Sequence, residues 1–448
     1  MTTVTTNGRR AVIDPLKLSR PLGAALAFLG VSGCMPLLHG SQGCTAFAKA
    51  LLTKHFREPI PMQTTAVTEL TAVLGSAQNL IEALDTVRAK QHPEIIGVIT
   101  TGLSEVSGED LPAAMRAYRA GLGPGDPLVV FVSAPDFAGG LSDGWSTALT
   151  ALVEAGLQDA GDPTGDPRAF PVLAGVSLTA AELDEIALMV ESFGLDPVLV
   201  PDLSASLDGH LGAGWTPLTT GGTTRGQLAR LGTTRYAHAV GTTSAAAAEA
   251  LTLGSDTDVV VSQHLAGLDA VDAFVERLWR ISEREVPARI RRARSRFADG
   301  LLDTHFALGG ARVALALEPE LLAATADLLA CSGAEIVTAV SPTSDPVLRD
   351  LPCDEVVVGD LMDLRERAAE AGAEVVVGSS HAVAAAHAVG AAHVPLGVPI
   401  EHRYGAALLG VSGYAGGLRF ITDVANALLE KTHVTRPTHP FSARKDQP

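Results

Sequence analysis

The chain has 448 residues, 47% of them hydrophobic and 19% charged, which is material for several large cores and excludes a disordered protein. Lys and Arg number 33 against 50 Asp and Glu, a formal net charge of −17. Such a surface repels phosphate backbones and anionic membranes, which excludes general nucleic-acid or bilayer binding. Four cysteines cannot form a disulfide framework and point to a reducing, cytoplasmic setting.

The N-terminus, Met1 to Asn7, is polar and Thr-rich. Arg9 and Arg10 ahead of the apolar stretch Pro21–Leu38 have the outline of an export signal. Gly23, Gly30, Gly33, Cys34 and Pro36 break that stretch, and no small-residue cleavage site follows. No segment offers the ~18 unbroken apolar residues of a membrane span. From there on, short apolar runs alternate with Ala/Leu-rich helical stretches. The runs Ile95–Thr100, Leu128–Val132, Val172–Val176, Val198–Pro201, Val259–Ser262, Val313–Leu317, Ile336–Val340, Val356–Asp360 and Val375–Ser379 read as strands covered on both faces. Leu111–Ala120, Ala180–Phe193, Pro319–Cys331 and Leu361–Ala371 read as helices.

This succession predicts an α/β protein of three doubly wound, Rossmann-like domains with mostly parallel sheets. Composition breaks at the turn-rich Gly161–Asp166 and at the charged stretch Arg284–Arg296 divide the chain into 1–160, 161–297 and 298–448, with room for it to cross back between domains. The Arg run at 289–296 reads as a solvated helix face or a subunit contact, given the negative total charge. Phosphate loops, dinucleotide fingerprints, Cys-x-x-Cys pairs, His-Glu-x-x-His and nucleophile elbows are all missing.

The most informative stretch is His39-Gly-Ser-Gln-Gly-Cys44-Thr-Ala-Phe-Ala48. Gly40 and Gly43 allow a tight turn into a helix running to about His55. A thiol in the first turn of a helix faces unsatisfied amides and the positive end of the dipole, which stabilise a thiolate or a thiolate-bound cluster. Taken alone, such a cysteine is either structural or a ligand.

Several further blocks surround this one: Pro15-Leu-Lys-Leu-Ser-Arg-Pro-Leu-Gly23, Met35–Phe47, His55-Phe-Arg-Glu-Pro59, Thr100-Thr-Gly-Leu-Ser-Glu105, Ala134-Pro-Asp-Phe137, Leu302-Asp-Thr-His-Phe306, Val358-Gly-Asp-Leu361, Ser380-His-Ala382 and Ser412-Gly-Tyr414. Together they resemble the β-type subunits of the nitrogenase component 1 superfamily over nearly the whole chain. Within it, the catalytic β-subunit carries three thiolates for a larger eight-iron cluster. Here the corresponding positions are Ser19, Cys44 and Gly102, so only the middle thiolate is present.

The resemblance therefore implies the cofactor-scaffold branch. Cys44 would give one ligand to a 4Fe-4S cluster shared with a partner, and a precursor of the iron–molybdenum cofactor would be held mainly by that partner. The implied partners are a NifE-like α subunit in an α2β2 heterotetramer, the nitrogenase Fe protein (NifH), a NifB-type cluster donor and the catalytic component. A scaffold in this sense is a maturation protein rather than a conventional catalyst. The alternatives are a redox subunit of the same superfamily (catalytic nitrogenase β, or a protochlorophyllide or chlorophyllide reductase β-type subunit), a vanadium-cofactor scaffold, and a metal-free binding protein.

The remaining candidates read as structural. Cys34 is small buried filler, and Cys331 and Cys353 are inert. Ser379-Ser-His381 is a helix cap with a packed histidine, at a strand end where doubly wound sheets bind ligands. Asp303 and His305 fix the start of the third domain, and Asp208 and His210 lie in a Gly-flanked loop that is either a site or a capped turn. Residues 397–404 (GVPIEHRY) depart from the Gly-Phe-Pro-Gln-Tyr-Asp stretch associated with the scaffold branch.

Overall fold

The computed structural model describes residues 2–8, 12–159, 166–208 and 216–435; Arg9, Arg10, His210 and residues 161–165 lie outside them. The chain opens with β1 (Thr3–Thr6), a strand the sequence did not signal, since its Thr-Val-Thr-Thr is short and half polar. A first sheet then forms from β2 (Cys34–His39), β3 (Gln63–Thr64), β4 (Ile95–Thr100) and β5 (Leu128–Val132), in the order β3-β2-β4-β5. A second holds β6 (Ala169–Ala174), β7 (Asp196–Val200), β8 (Tyr236–Val240) and β9 (Asp258–Ser262), in the order β7-β6-β8-β9. The third holds β10 (Arg312–Ala316), β11 (Glu335–Ser341), β12 (Glu355–Val358), β13 (Val375–Gly378) and β14 (Ala392–Pro395), and takes β1 at its edge: β1-β12-β11-β10-β13-β14. The N-terminal strand thus completes the sheet of the C-terminal segment.

All pairings between these strands are parallel. Strands β2 and β4 are buried at every position, and β4 accordingly reads as an unbroken apolar run rather than an alternating one. Each sheet reverses its strand order once: between β2 and β4, between β6 and β8, and between β10 and β13. Chain leaving the carboxyl ends of such neighbours diverges to opposite faces and opens a crevice, where doubly wound folds bind ligands.

The apolar stretch with an export-signal outline is interior structure. It forms the helix Arg20–Leu29, buried from Pro21 to Leu29, and strand β2. That helix crosses the helix Leu141–Gln158 at backbone contact: a Cβ on Gly23 would lie 1.9 Å from the Leu141 carbonyl oxygen, and one on Gly144 1.9 Å from that of Arg20. The Arg-rich stretch is the first half of the helix Ala288–Leu308. No helix among the described residues is long and apolar enough to cross a membrane.

Candidate functional site

Cys44 stands at the switch point of the first sheet. It is the third residue of the helix Gln42–Phe56, which starts one turn after β2. The N-cap Ser41 makes no side-chain cap bond, and the first turn holds no acid. The leading amides therefore remain open to an external negative charge. The Ser41 hydroxyl lies 3.4 Å from the Cys44 sulfur instead, and the thiol is exposed. One turn on, Phe47 is 73% exposed, and Phe137 beyond β5 is 70% exposed. A ligand-type residue open to the outside, with the exposed Phe47 one turn on, suits a group completed from another chain.

The turn itself is held from below. His39 ends β2 fully buried; its Nδ1 lies 3.0 Å from the Thr65 hydroxyl and its Nε2 3.1 Å from that of Ser76. Ser76 donates to Glu109 at 2.7 Å, so its oxygen accepts from His39 Nε2–H. Thr65 accepts the Gly40 amide at 3.2 Å and donates to Nδ1. Burial lowers the His39 pKa to about 4, against the pull of Glu109 and Glu105, so the ring is neutral and fully bonded. Gly40 is required here, because its Cβ would come within 2.5 Å of the Thr101 hydroxyl, which donates to the His39 carbonyl at 3.0 Å.

The neighbouring Thr-Thr-x-x-x-Glu turn follows β4. Thr100 donates to Glu105 at 2.5 Å, Ser133 donates to the same oxygen at 2.6 Å, and Thr100 accepts the Ala134 amide at 2.8 Å. These bonds tie the ends of β4 and β5 together without any bound group. Gly102 opens the short helix Gly102–Glu105; a Cβ there would meet nothing closer than 3.9 Å, so the missing side chain reflects no steric need. Its amide bonds Asp136, whose carboxyl is raised by burial and drawn back by Lys17. Ser19 caps the helix Arg20–Leu29 by accepting the Leu22 amide at 3.4 Å. The only thiol among the three positions is that of Cys44.

The other cysteines are placed differently. Cys34 is fully buried, and burial pushes its thiol far up. Cys353 is half-buried and raised to about 11, while Cys331 is exposed at the end of the helix Pro319–Cys331. Ser379 caps the turn at His381, whose ring is exposed rather than packed. His305 is also exposed, its Nδ1 3.4 Å from the Ser332 carbonyl. Among the described residues, no group of three or more His, Cys, Asp and Glu is arranged to hold a metal ion.

A cavity lies where the switch points of the second and third sheets face each other, lined by Leu26, Val176, Leu321 and Leu396 among many apolar side chains. Its polar groups include Glu318, Ser177, Ser379 and His55, and no cysteine lines it. His55 Nδ1 accepts the Ile400 amide at 2.9 Å and burial lowers its pKa to about 4. The donor set is therefore poor for an iron–sulfur group. The divergent 397–404 loop is tied down beside it: Arg57 donates to the Glu401 carbonyl at 2.7 Å, and Ser380 lies 2.6 Å from His402 Nδ1.

Sequence reading missed the supports of His39 and the buried carboxylates Glu182, Glu318 and Glu320. Only Glu182 had a local signal, the capping box begun by Thr179. Burial raises Glu318 to about 7, partly offset by a 2.7 Å bond from Ser142. An acid raised in the folded state keeps its proton while the unfolded chain loses it, so stability falls as pH rises from about 4.5 to about 7. The loss is at most about 3 kcal/mol, lessened by the access Glu318 has to the cavity. Glu318→Gln should raise the melting temperature at pH 8 and leave it unchanged at pH 4.5, as followed by calorimetry.

The family profile described as "Nitrogenase component 1 type Oxidoreductase" matches residues 19–429. A protein of Rippkaea orientalis named "Nitrogenase iron-molybdenum cofactor biosynthesis protein NifN" is 42% identical, over 96% of each chain. A protein of Rhodobacter capsulatus with the same name is 41% identical, over 97% of this chain and 95% of its own. The solved structure "Nitrogenase Cp1 at pH 6.5" superimposes with a TM-score of 0.89 at 27% identity, covering 97% of both chains. A second chain, "Nitrogenase Cp1 at pH 5", shares the fold at a TM-score of 0.70 and 13% identity.

Proposed function

The chain belongs to the nitrogenase component 1 type oxidoreductase family, and from that premise we propose that it is the β-like subunit of a scaffold on which the iron–molybdenum cofactor is matured. The observation that carries this reading is the donor set at the first switch point: one exposed thiol at Cys44, with Ser19 and Gly102 where a catalytic β-type subunit would hold two more. One thiolate on an open helix end suits a 4Fe-4S cluster completed by a NifE-like α subunit, within an α2β2 assembly. When bound, the cluster would supply electron storage at the interface. The chain's own part is to present Cys44 on a turn fixed by His39, Thr65 and Ser76, with the exposed Phe47 one turn on for the partner to cover.

The cavity at the other two switch points has no thiol and a single histidine, whose Nδ1 is taken by the Ile400 amide, which supports a precursor held mainly by the partner. Docking of the Fe protein (NifH), delivery by a NifB-type donor, transfer to the catalytic component and a cytoplasmic location belong to the same reading. So does the division of the chain near residues 160 and 297.

An interface subunit with this much exposed apolar surface should need its partner. Expressed alone, the chain should aggregate or elute as a broad oligomer in size-exclusion chromatography. Co-expressed with the α-type subunit, it should elute as one heterotetramer. A stable, monodisperse monomer that carries a full cluster would sink the proposal.

A further inference from the structure

A cleft of about 500 Å³ separates the middle and C-terminal sheets, away from Cys44. The helix Ala180–Ser192 forms one wall, and the starts of the helices Ala288–Leu308 and Gly413–Thr435 form the other. Arg289, Arg292, Arg296 and Arg419 line it, an unusual concentration on a chain of net charge −17.

The arginines of the helix Ala288–Leu308 divide sharply. Those off the cleft are engaged: Arg294 pairs with Asp272 at 2.7 Å, and Arg291 donates to the Val286 carbonyl at 2.5 Å. Arg289, Arg292 and Arg296 face the cleft one above another and pair with no carboxylate among the described residues. Stacked like charges at this spacing oppose the helix. Arg289 and Arg292 also sit in or beside a first turn with no acid, where the dipole disfavours cations. The acids on the opposite wall make no ion pair with these three arginines, because their oxygens are held by other partners. Glu182 accepts the Val411 and Ser412 amides at 2.8 and 2.7 Å, and Glu185 those of Ala415 and Gly416 at 3.0 and 3.2 Å. Asp184 is bonded to Ser204.

We propose that this cleft binds a compact, multiply charged organic or phosphate anion through Arg289, Arg292 and Arg296. Guanidinium groups pair with carboxylate and phosphate in bidentate geometry, and three along one helix face match an anion with charges on several arms. The volume is that of a small-ligand site, and a concave cleft lined also by Leu188 and Met189 suits a small molecule better than a protein surface. This inference does not depend on the scaffold reading.

The test is isothermal titration of the full-length chain in complex with its partner, at low salt, with citrate in one arm and pyrophosphate in the other. At least one should saturate a single site per chain, and the arm that does so identifies a carboxylate or a phosphate ligand. Replacing Arg292 and Arg296 together by Gln should weaken binding about tenfold or more, because two guanidinium contacts to the anion are lost. Arg291→Gln should change nothing, and circular dichroism should be the same for all variants. Three results would overturn the proposal: no binding in either arm, equal weakening by Arg291→Gln, or protection of Arg292 from phenylglyoxal by the partner subunit without added anion.

Discussion

Cys44→Ser should strip most of the permanent cluster from the assembled complex, or change its spectrum, while leaving the fold and the assembly intact. A serine oxygen is a harder and far less acidic donor than a thiolate, so iron loses the ligand that suits it. The fold persists because the side chain is exposed and its one polar contact is the Ser41 hydroxyl at 3.4 Å. The three other cysteines provide the contrast. Cys34→Ser places a hydroxyl in a fully buried position and should cost about 1–3 kcal/mol of stability, with the cluster signal unchanged. Cys331→Ser and Cys353→Ser should leave both stability and signal close to wild type. Electron paramagnetic resonance of the reduced complex, variant by variant, reads this. Loss of the signal in Cys34→Ser with retention in Cys44→Ser would reverse the assignment.

The largest effect on stability is expected at the helix crossing of the N-terminal segment. Gly23→Ala should cost about 3 kcal/mol or more, because the new Cβ falls 1.9 Å from the Leu141 carbonyl oxygen and 2.7 Å from its carbon. Backbone of one buried helix cannot move aside without moving the helix. Gly144, facing the Arg20 carbonyl on the same contact, makes the crossing tight from both sides. Ser19 caps the helix Arg20–Leu29, so a shift of that helix moves Ser19 as well. Gly226→Ala is the control: nothing lies within 4 Å of its Cβ, and it should be neutral or slightly stabilising, by about 0.4–1 kcal/mol. Calorimetric melting that puts Gly23→Ala level with Gly226→Ala would refute the close-crossing explanation.

Much of the fold could be read in the sequence because buried parallel strands write themselves as continuous apolar runs. Ile95–Thr100 and Leu128–Val132 were legible to the residue, as were the helices Leu111–Ala120 and Leu361–Ala371. Strand β2 was not, since Cys-Met-Pro-Leu-Leu-His carries no β-branched residue and resembles a broken apolar stretch. Strand β14 was hidden because Ala-His-Val-Pro is short and broken by His393. Strand β1 is stabilised by pairing with residues some 350 positions away (Thr3 with Glu355, Val4 with Val356), which no local pattern signals. At the site, the helix-opening position of Cys44 and the need for Gly40 were legible from Gly spacing. Gly43 plays no such part, as its Cβ would meet only the Ser41 hydroxyl at 3.9 Å. The His39–Ser76–Glu109 chain was out of reach, because it joins the end of β2 to two loops far along the chain.

If Cys44 is the one ligand this chain gives to a cluster that two chains complete, the chain on its own should hold no cluster. Anaerobic iron and sulfide analysis of the chain purified alone and of the chain purified with its α-type partner tests it most directly. Iron and sulfide are expected in equal amounts in the complex, lowered by Cys44→Ser, and neither in the isolated chain. An isolated chain with a stoichiometric cluster, or a complex whose iron content is indifferent to Cys44, would contradict it.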